Sequence, residues 1–115
     1  MSVLIYHNPR CSKSRAALQL LKEQGVEPEV VEYLKLSPNK PQLEQLLKML
    51  GLQPRELMRQ TESLYETLGL DSPSLDRDQL LDAMVAHPIL IERPIVVSNG
   101  KAVIGRPPQQ VLDIL

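Results

Sequence analysis

The sequence predicts an α/β fold, with a four-stranded mixed sheet, covering helices and an all-helical insertion in the middle of the chain. Two β-branched runs, at residues 3–6 and 95–97, indicate strands near both ends of the 115-residue chain. Between them, residues 39–87 show helical apolar spacing and contain no strand pattern. The length suits one compact core, so we expect a single domain over residues 1–115.

The first third of the chain predicts a β-α-β unit. Residues 3–6 are a short apolar run typical of a buried strand, and residues 30–33 are predicted to form a second strand. Residues 13–24 have helical spacing, and Gly25 follows as a helix stop. The expected buried face of this helix carries Ser14, Ala17, Leu18 and Leu21. This order predicts a parallel strand pair joined by a right-handed crossover.

The middle of the chain, about residues 39–87, predicts a block of short helices. Asn39 and Asp76 each precede a glutamine by three residues, which is the spacing of a capping box. A short helix over residues 54–59 and a further turn over residues 62–68 are expected between the two capped helices. The apolar stripe of the first capped helix is Leu43, Leu46, Leu47 and Leu50.

The last third returns to strand. The dipeptide Asn99-Gly100 stands between two apolar runs, 95–97 and 102–104, and predicts a two-residue hairpin. Prolines then precede a final helix expected over residues 109–115. The full order is β-α-β, a helical block, then β-β-α, which is the order of a thioredoxin-like fold with an all-helical insertion.

Composition excludes several classes of function. A net charge of −1 argues against bulk binding of nucleic acid, so any basic site must be local. We expect no signal peptide and no membrane association, because the apolar runs are too short. One cysteine excludes an intramolecular disulfide, and a reducing, cytoplasmic location fits best. No cysteine or histidine pair has the spacing of a metal site.

Residues 7–15 contain the only cysteine of the chain. The predicted order is a strand, then a loop that contains a proline, then a helix, and this order places Cys11 near the N-terminus of the helix. The positive end of the helix dipole favours a thiolate there. Arg10, Lys13 and Arg15 add cations, and such a thiolate can bind an oxyanion and attack it. A lone cysteine is often only a small buried hydrophobe, but a packing cysteine would not normally stand among so many polar neighbours.

Three arginines extend this pattern. Arg59, Arg93 and Arg106 each stand at the end of a predicted element, and a guanidinium presents a planar fork of donors suited to an oxyanion. For any one of them a solvated surface position is the simpler interpretation, whereas all three together with Cys11 favour a shared function. His7 has two interpretations of equal weight: its imidazolium favours the thiolate, or it caps the strand end.

Five segments together are diagnostic. They are residues 6–15 (Tyr-His-Asn-Pro-x-Cys-x-x-Ser-Arg), 57–59 (Leu-Met-Arg), 87–97 (His-Pro-Ile-Leu-Ile-x-Arg-Pro-Ile-Val-Val), 105–107 (Gly-Arg-Pro) and 111–115 (Val-Leu-Asp-Ile-Leu). On these segments the sequence resembles the arsenate reductase family that couples to glutathione and glutaredoxin. The resemblance spans essentially the whole chain and again implies a thioredoxin-like fold with a helical insertion.

In that family the motif cysteine attacks arsenate and three arginines hold the oxyanion. The residues that the resemblance implies are Cys11 and His7 for catalysis, and Arg59, Arg93, Arg106, Ser14 and Arg15 for substrate binding. His7 would tune the thiolate. The resemblance also implies that Pro94 follows a cis peptide bond.

The expected function is the reduction of arsenate to arsenite. Because arsenate needs two electrons and one thiol yields one, a second thiol must come from outside. We expect glutathione as co-substrate, glutaredoxin as protein partner, no bound cofactor and a monomer. Two alternatives stay open: an Spx-like regulator or other interaction protein on the same fold, and a monothiol reductase of another substrate. Spx-type regulators bind RNA polymerase and typically carry a Cys-x-x-Cys switch, whereas Ser14 takes the second position here.

Overall fold

The computed structural model describes residues 2–115. The chain divides into two compact units, one built from its two ends, up to Leu36 and from Arg93 onward, and the other from residues 37–92. The second unit contains the predicted insertion, 39–87, with a few residues added at each side. The single domain expected over residues 1–115 stays a prediction.

The first unit is built on the predicted four-stranded mixed sheet. Its strands are β1 (Val3–Tyr6), β2 (Glu29–Val31), β3 (Ile95–Ser98) and β4 (Lys101–Ile104). The spatial order is β2-β1-β3-β4, with β1 and β2 parallel and the other pairs antiparallel. The fold class predicted from the sequence is therefore confirmed. The hairpin is confirmed as well, since Asn99 and Gly100 both adopt positive φ, 55° and 75°.

The second strand is shorter than predicted. It ends at Val31, whereas the apolar pattern extends it to residue 33. The chain turns because the carbonyl of Glu32 accepts from the backbone N–H groups of Lys35 and Leu36, at 2.9 and 3.1 Å. Tyr33 is buried beyond the strand, with 1% of its surface exposed, so its apolar character reflects packing and not strand pairing.

Helix α1 (Ser12–Glu23) covers the sheet. Ala17 and Leu21 of the predicted face are fully buried against Ile5 of β1 and Val96 of β3, which forms the core of this unit. Gly25 has a φ of 77° and follows the end of the helix, in the left-handed conformation that favours glycine. The predicted helix is thus confirmed within one residue at each end.

Among its described residues the second unit contains four α-helices and a short 3-10 helix, Pro88–Leu90. The α-helices are α2 (Lys40–Leu50), α3 (Pro54–Leu57), α4 (Ser63–Thr67) and α5 (Arg77–Ala86). Both predicted capping boxes are present, since Asn39 and Asp76 each accept from the N–H of the glutamine three residues later, at 2.9 Å. No helix described over residues 2–115 has the length and the apolar character needed to cross a membrane.

The prediction for residues 54–59 is wrong at its end. Helix α3 stops at Leu57, because the next two residues bond to a distant part of the chain. Met58 forms a β-bridge with Ile91, and the N–H of Arg59 donates to the carbonyl of Leu90 at 2.7 Å.

The final helix is 3-10 and not α, over Pro108–Ile114. Two successive prolines supply no N–H groups, and the first turn is closed by the N–H of Gln110, which donates to the carbonyl of Pro107 at 3.1 Å. Val111 is fully buried on the core of the first unit, which holds this segment against α1.

Candidate active site

Cys11 is the N-cap residue of α1, in extended backbone with φ −93° and ψ 122°. Its N–H donates to the carbonyl of Asn8 and its own carbonyl accepts from the N–H of Arg15, both at 3.0 Å. The thiol is partly exposed and makes no capping hydrogen bond. The prediction of a cysteine at a helix N-terminus is confirmed, and the first N–H groups of α1 can therefore face an anion bound beside the sulfur.

Arg106 places a cation next to this thiol. Its Nη2 lies 3.9 Å from Sγ of Cys11, and its Nε–H donates to the backbone carbonyl of Arg93 at 2.9 Å. The guanidinium is therefore anchored on the backbone through Nε while its Nη2 lies near the sulfur. A cation held at this position can also pair with an oxyanion bound beside the sulfur. Arg93 itself is buried, with 8% of its surface exposed.

Gly105 explains how Arg106 reaches this position, a role that the matching Gly-Arg-Pro segment does not by itself indicate. Its N–H donates to the carbonyl of Pro94 at 2.9 Å. A Cβ at this position would lie 2.8 Å from Cγ of Pro94 and 3.1 Å from Cγ1 of Val111, so the chain can pass here only without a side chain. The Arg93–Pro94 peptide bond is cis, as the resemblance implies, and Arg106–Pro107 is also cis.

Ser14 ties the loop to the helix. Its side chain is fully buried, and its Oγ lies 2.6 Å from Nδ1 of His7. The same oxygen accepts from the N–H of Asn8 at 3.0 Å. One hydroxyl thus joins the end of β1, the loop and α1. The resemblance implied that Ser14 contacts the substrate directly. This geometry instead favours a role in positioning the loop.

His7 is buried as well, and burial is the main cause that lowers its pKa below 6.5. The carboxylate of Glu32 opposes this shift of the pKa, while the cations of Arg15 and Lys22 add to it. The neutral imidazole is therefore favoured at pH 7. Of the two interpretations of His7, the structure favours a hydrogen-bonding residue at the strand end over a catalytic imidazolium.

We expect His7 to make the protein less stable as the pH falls below about 6.5. The pKa of His7 is lower in the folded state, so the unfolded chain takes up the proton first as the pH falls. The contribution of His7 to the free energy of unfolding is therefore complete above pH 6.5, and it is lost as the pH falls toward the folded-state pKa. In His7→Asn this part of the decline should disappear. Urea unfolding at several pH values measures this pH dependence, and His87→Asn, the same substitution at the other histidine, is the control. Equal pH dependence of wild type and His7→Asn would contradict the prediction.

The two remaining arginines of the predicted site have different surroundings. Arg15 is exposed, and its Nη1–H donates to the carbonyl of Pro9 at 2.9 Å, which braces the loop. Arg59 belongs to the second unit, where its Nη1 lies 2.8 Å from a carboxylate oxygen of Glu62 and its Nε 3.7 Å from one of Glu92. A guanidinium between two carboxylates is largely neutralised locally. That Arg59 acts together with Cys11 stays a prediction.

The site can carry out nucleophilic attack on a bound oxyanion. In such an attack Cys11 would be the nucleophile, and Arg106 and the N-terminus of α1 would supply the positive field. Within residues 2–115, no group of three or more His, Cys, Asp or Glu side chains is arranged to hold a metal ion.

The fold and the site define a thioredoxin-like protein with one thiol at a helix N-terminus. The model of the ArsC family matches residues 6–114, and the chain belongs to this family. The resemblance noted in the sequence is thereby confirmed.

Known proteins match over nearly the whole chain. An arsenate reductase of Neisseria meningitidis serogroup A is 52% identical over 98% of this chain and 97% of its own length. A protein of Escherichia coli K12 named "Uncharacterized protein YfgD" is 61% identical over 98% of this chain and 96% of its own. The solved structure of an arsenate reductase from Vibrio cholerae superposes with a TM-score of 0.98 at 55% identity, covering 100% of this chain and 98% of that chain.

Proposed function

We propose that this protein is an arsenate reductase, which reduces arsenate to arsenite with Cys11 as its nucleophile. Relatives that bear this name are 43–52% identical over nearly the whole chain. The observation that carries the mechanism is the 3.9 Å contact between Nη2 of Arg106 and Sγ of Cys11. A tetrahedral oxyanion that binds this guanidinium places its central atom within reach of the sulfur.

The reaction begins when the Cys11 thiolate attacks arsenic, which forms an As–S bond and breaks an As–O bond, and the oxygen leaves as water. The thiol of glutathione then replaces a second oxygen, giving an adduct that links both sulfurs through arsenic. A thiolate of glutaredoxin attacks the glutathione sulfur, and the electron pair of the broken S–As bond stays on arsenic, which becomes As(III). Water cleaves the remaining As–S bond and releases arsenite and Cys11. The two outside thiols end as one glutaredoxin–glutathione disulfide. A second glutathione converts it to glutathione disulfide and free glutaredoxin, so two glutathione thiols supply the two electrons.

The chain's own residues bind and orient in this scheme. Arg106 and the N–H groups of α1 neutralise the arsenate, and the family resemblance is the ground for proposing that Arg59 and Arg93 also bind it. His7, Ser14 and Arg15 hold the loop that carries the nucleophile. The protein works as a monomer without a bound cofactor, in the reducing cytoplasm where glutathione is abundant.

The test is a turnover assay in which glutathione disulfide is recycled by glutathione reductase and loss of NADPH is followed. We expect oxidation that requires arsenate, glutathione and glutaredoxin together, and none when phosphate replaces arsenate. If no turnover occurs with all components present and the protein captures RNA polymerase, the regulator hypothesis replaces the enzyme. Turnover with a substrate other than arsenate would instead support the monothiol reductase of another substrate.

A further inference from the structure

A cavity of about 230 Å³ lies beside the loop that carries the nucleophile. Residues 7–10 form one side, and Glu32, Leu34 and Lys35, which follow β2, form the other. Pro9 and Arg10 immediately precede Cys11, so the cavity lies within two residues of the thiol. The proposed reaction involves the loop but does not involve this cavity.

The cavity walls combine apolar surface with charges of both signs. Pro9 and the 40%-exposed Leu34 are apolar, while Arg10 and Lys35 are cations and Glu32 is a carboxylate. Glu32 and Lys35 form an ion pair at 3.6 Å, with 44% and 80% of their side chains exposed. Because an exposed pair of this length contributes little, both groups remain available to a ligand. The walls therefore suit a ligand that carries a carboxylate and an ammonium together.

We propose that this cavity binds the γ-glutamyl end of glutathione. The inference rests on the proposed function, in which a chain with one cysteine requires a thiol from outside. The γ-glutamyl end carries one carboxylate, which suits Arg10 and Lys35, and one ammonium, which suits Glu32. An extended tripeptide spans about 10 Å. Its central sulfur can therefore approach Cys11 while the γ-glutamyl group occupies the neighbouring cavity.

Reversing one charge of the cavity tests this site. In Lys35→Glu we expect the dissociation constant of S-methylglutathione to rise about fivefold, the size expected for one exposed ion pair. The methylated sulfur cannot attack arsenic, so titration calorimetry measures binding without turnover. Lys101→Glu, on β4 and outside the cavity, carries the same change of net charge and should leave the constant unchanged. In the turnover assay, the KM for glutathione should rise in Lys35→Glu while the KM for arsenate stays unchanged.

The outcomes separate this site from the enzyme activity. An unchanged dissociation constant in Lys35→Glu overturns the proposal, whether or not the protein reduces arsenate. A KM that rises for glutaredoxin and not for glutathione also overturns it, because the cavity then receives the protein partner. Binding that depends on Lys35 in a protein without arsenate turnover supports the site and defeats only the proposed function.

Discussion

Replacing Cys11 by serine should lower arsenate turnover by at least about 10³-fold and leave the fold intact. Serine keeps the shape of the side chain but is a far weaker nucleophile at neutral pH. The fold has a reason to tolerate the change: the thiol makes no capping hydrogen bond at the N-cap of α1, whereas serine is one of the preferred N-cap residues. We therefore expect the free energy of unfolding to be unchanged or to rise by up to about 1 kcal/mol.

Three measurements check the Cys11→Ser prediction: NADPH-coupled turnover, titration calorimetry with arsenate, and urea unfolding. Arsenate binding should persist in the variant, because Arg106 and the helix N-terminus remain. As a control, iodoacetamide should inactivate the wild type and leave the variant's residual activity unchanged. If the variant retains more than about one hundredth of the wild-type activity, well above the expected residual activity, Cys11 is not the nucleophile.

Arg106→Lys should lower kcat/KM for arsenate between about tenfold and a hundredfold, since a charged hydrogen bond contributes about 1.5–3 kcal/mol. Lysine keeps the positive charge but loses the planar fork of donors. It also loses the Nε–H bond, 2.9 Å long, that anchors the guanidinium on the carbonyl of Arg93. The positive charge beside Cys11 is then carried by a flexible lysine side chain and is no longer held in one orientation.

The matched control for this prediction is Arg77→Lys. Arg77 pairs through its Nε with Glu44 at 2.8 Å on an exposed face of the second unit, so its replacement should not change kcat/KM. Steady-state kinetics with arsenate measure both variants, and circular dichroism verifies their fold. Equal kcat/KM in wild type and Arg106→Lys would exclude this arginine from the site. The same measurements on Arg59→Lys and Arg93→Lys decide whether those side chains share it.

Features set by neighbouring residues were predictable from the sequence. The capping boxes at Asn39 and Asp76 join groups three residues apart, and the Asn99-Gly100 turn needs only its own two residues to adopt positive φ. Cys11 was placed at its helix end by the same kind of local pattern. In each case the hydrogen bonds or dihedral angles that define the feature involve residues close in sequence.

Features set by distant residues were not predictable. The end of α3 depends on bonds from Met58 and Arg59 to a segment about 30 residues later, which no local propensity encodes. The hydrogen bond between Ser14 and His7 joins residues seven positions apart, and only the structure shows that their side chains are in contact. The need for a glycine at position 105 is likewise visible only once its neighbours across the core are known.

The β3–β4 hairpin has a practical consequence for attaching labels to this protein. Ile95 pairs with Ile104 and Ser98 with Lys101. Arg93 comes two residues before the first strand and Arg106 two residues after the second, so both adjoin the open end of the hairpin. The tight turn at Asn99-Gly100 closes the opposite end, about 13 Å away for strands of four residues. A fluorophore or a short peptide inserted at that turn extends the hairpin outward and preserves the spacing between the two arginines. An oxyanion sensor can therefore carry its reporter group there.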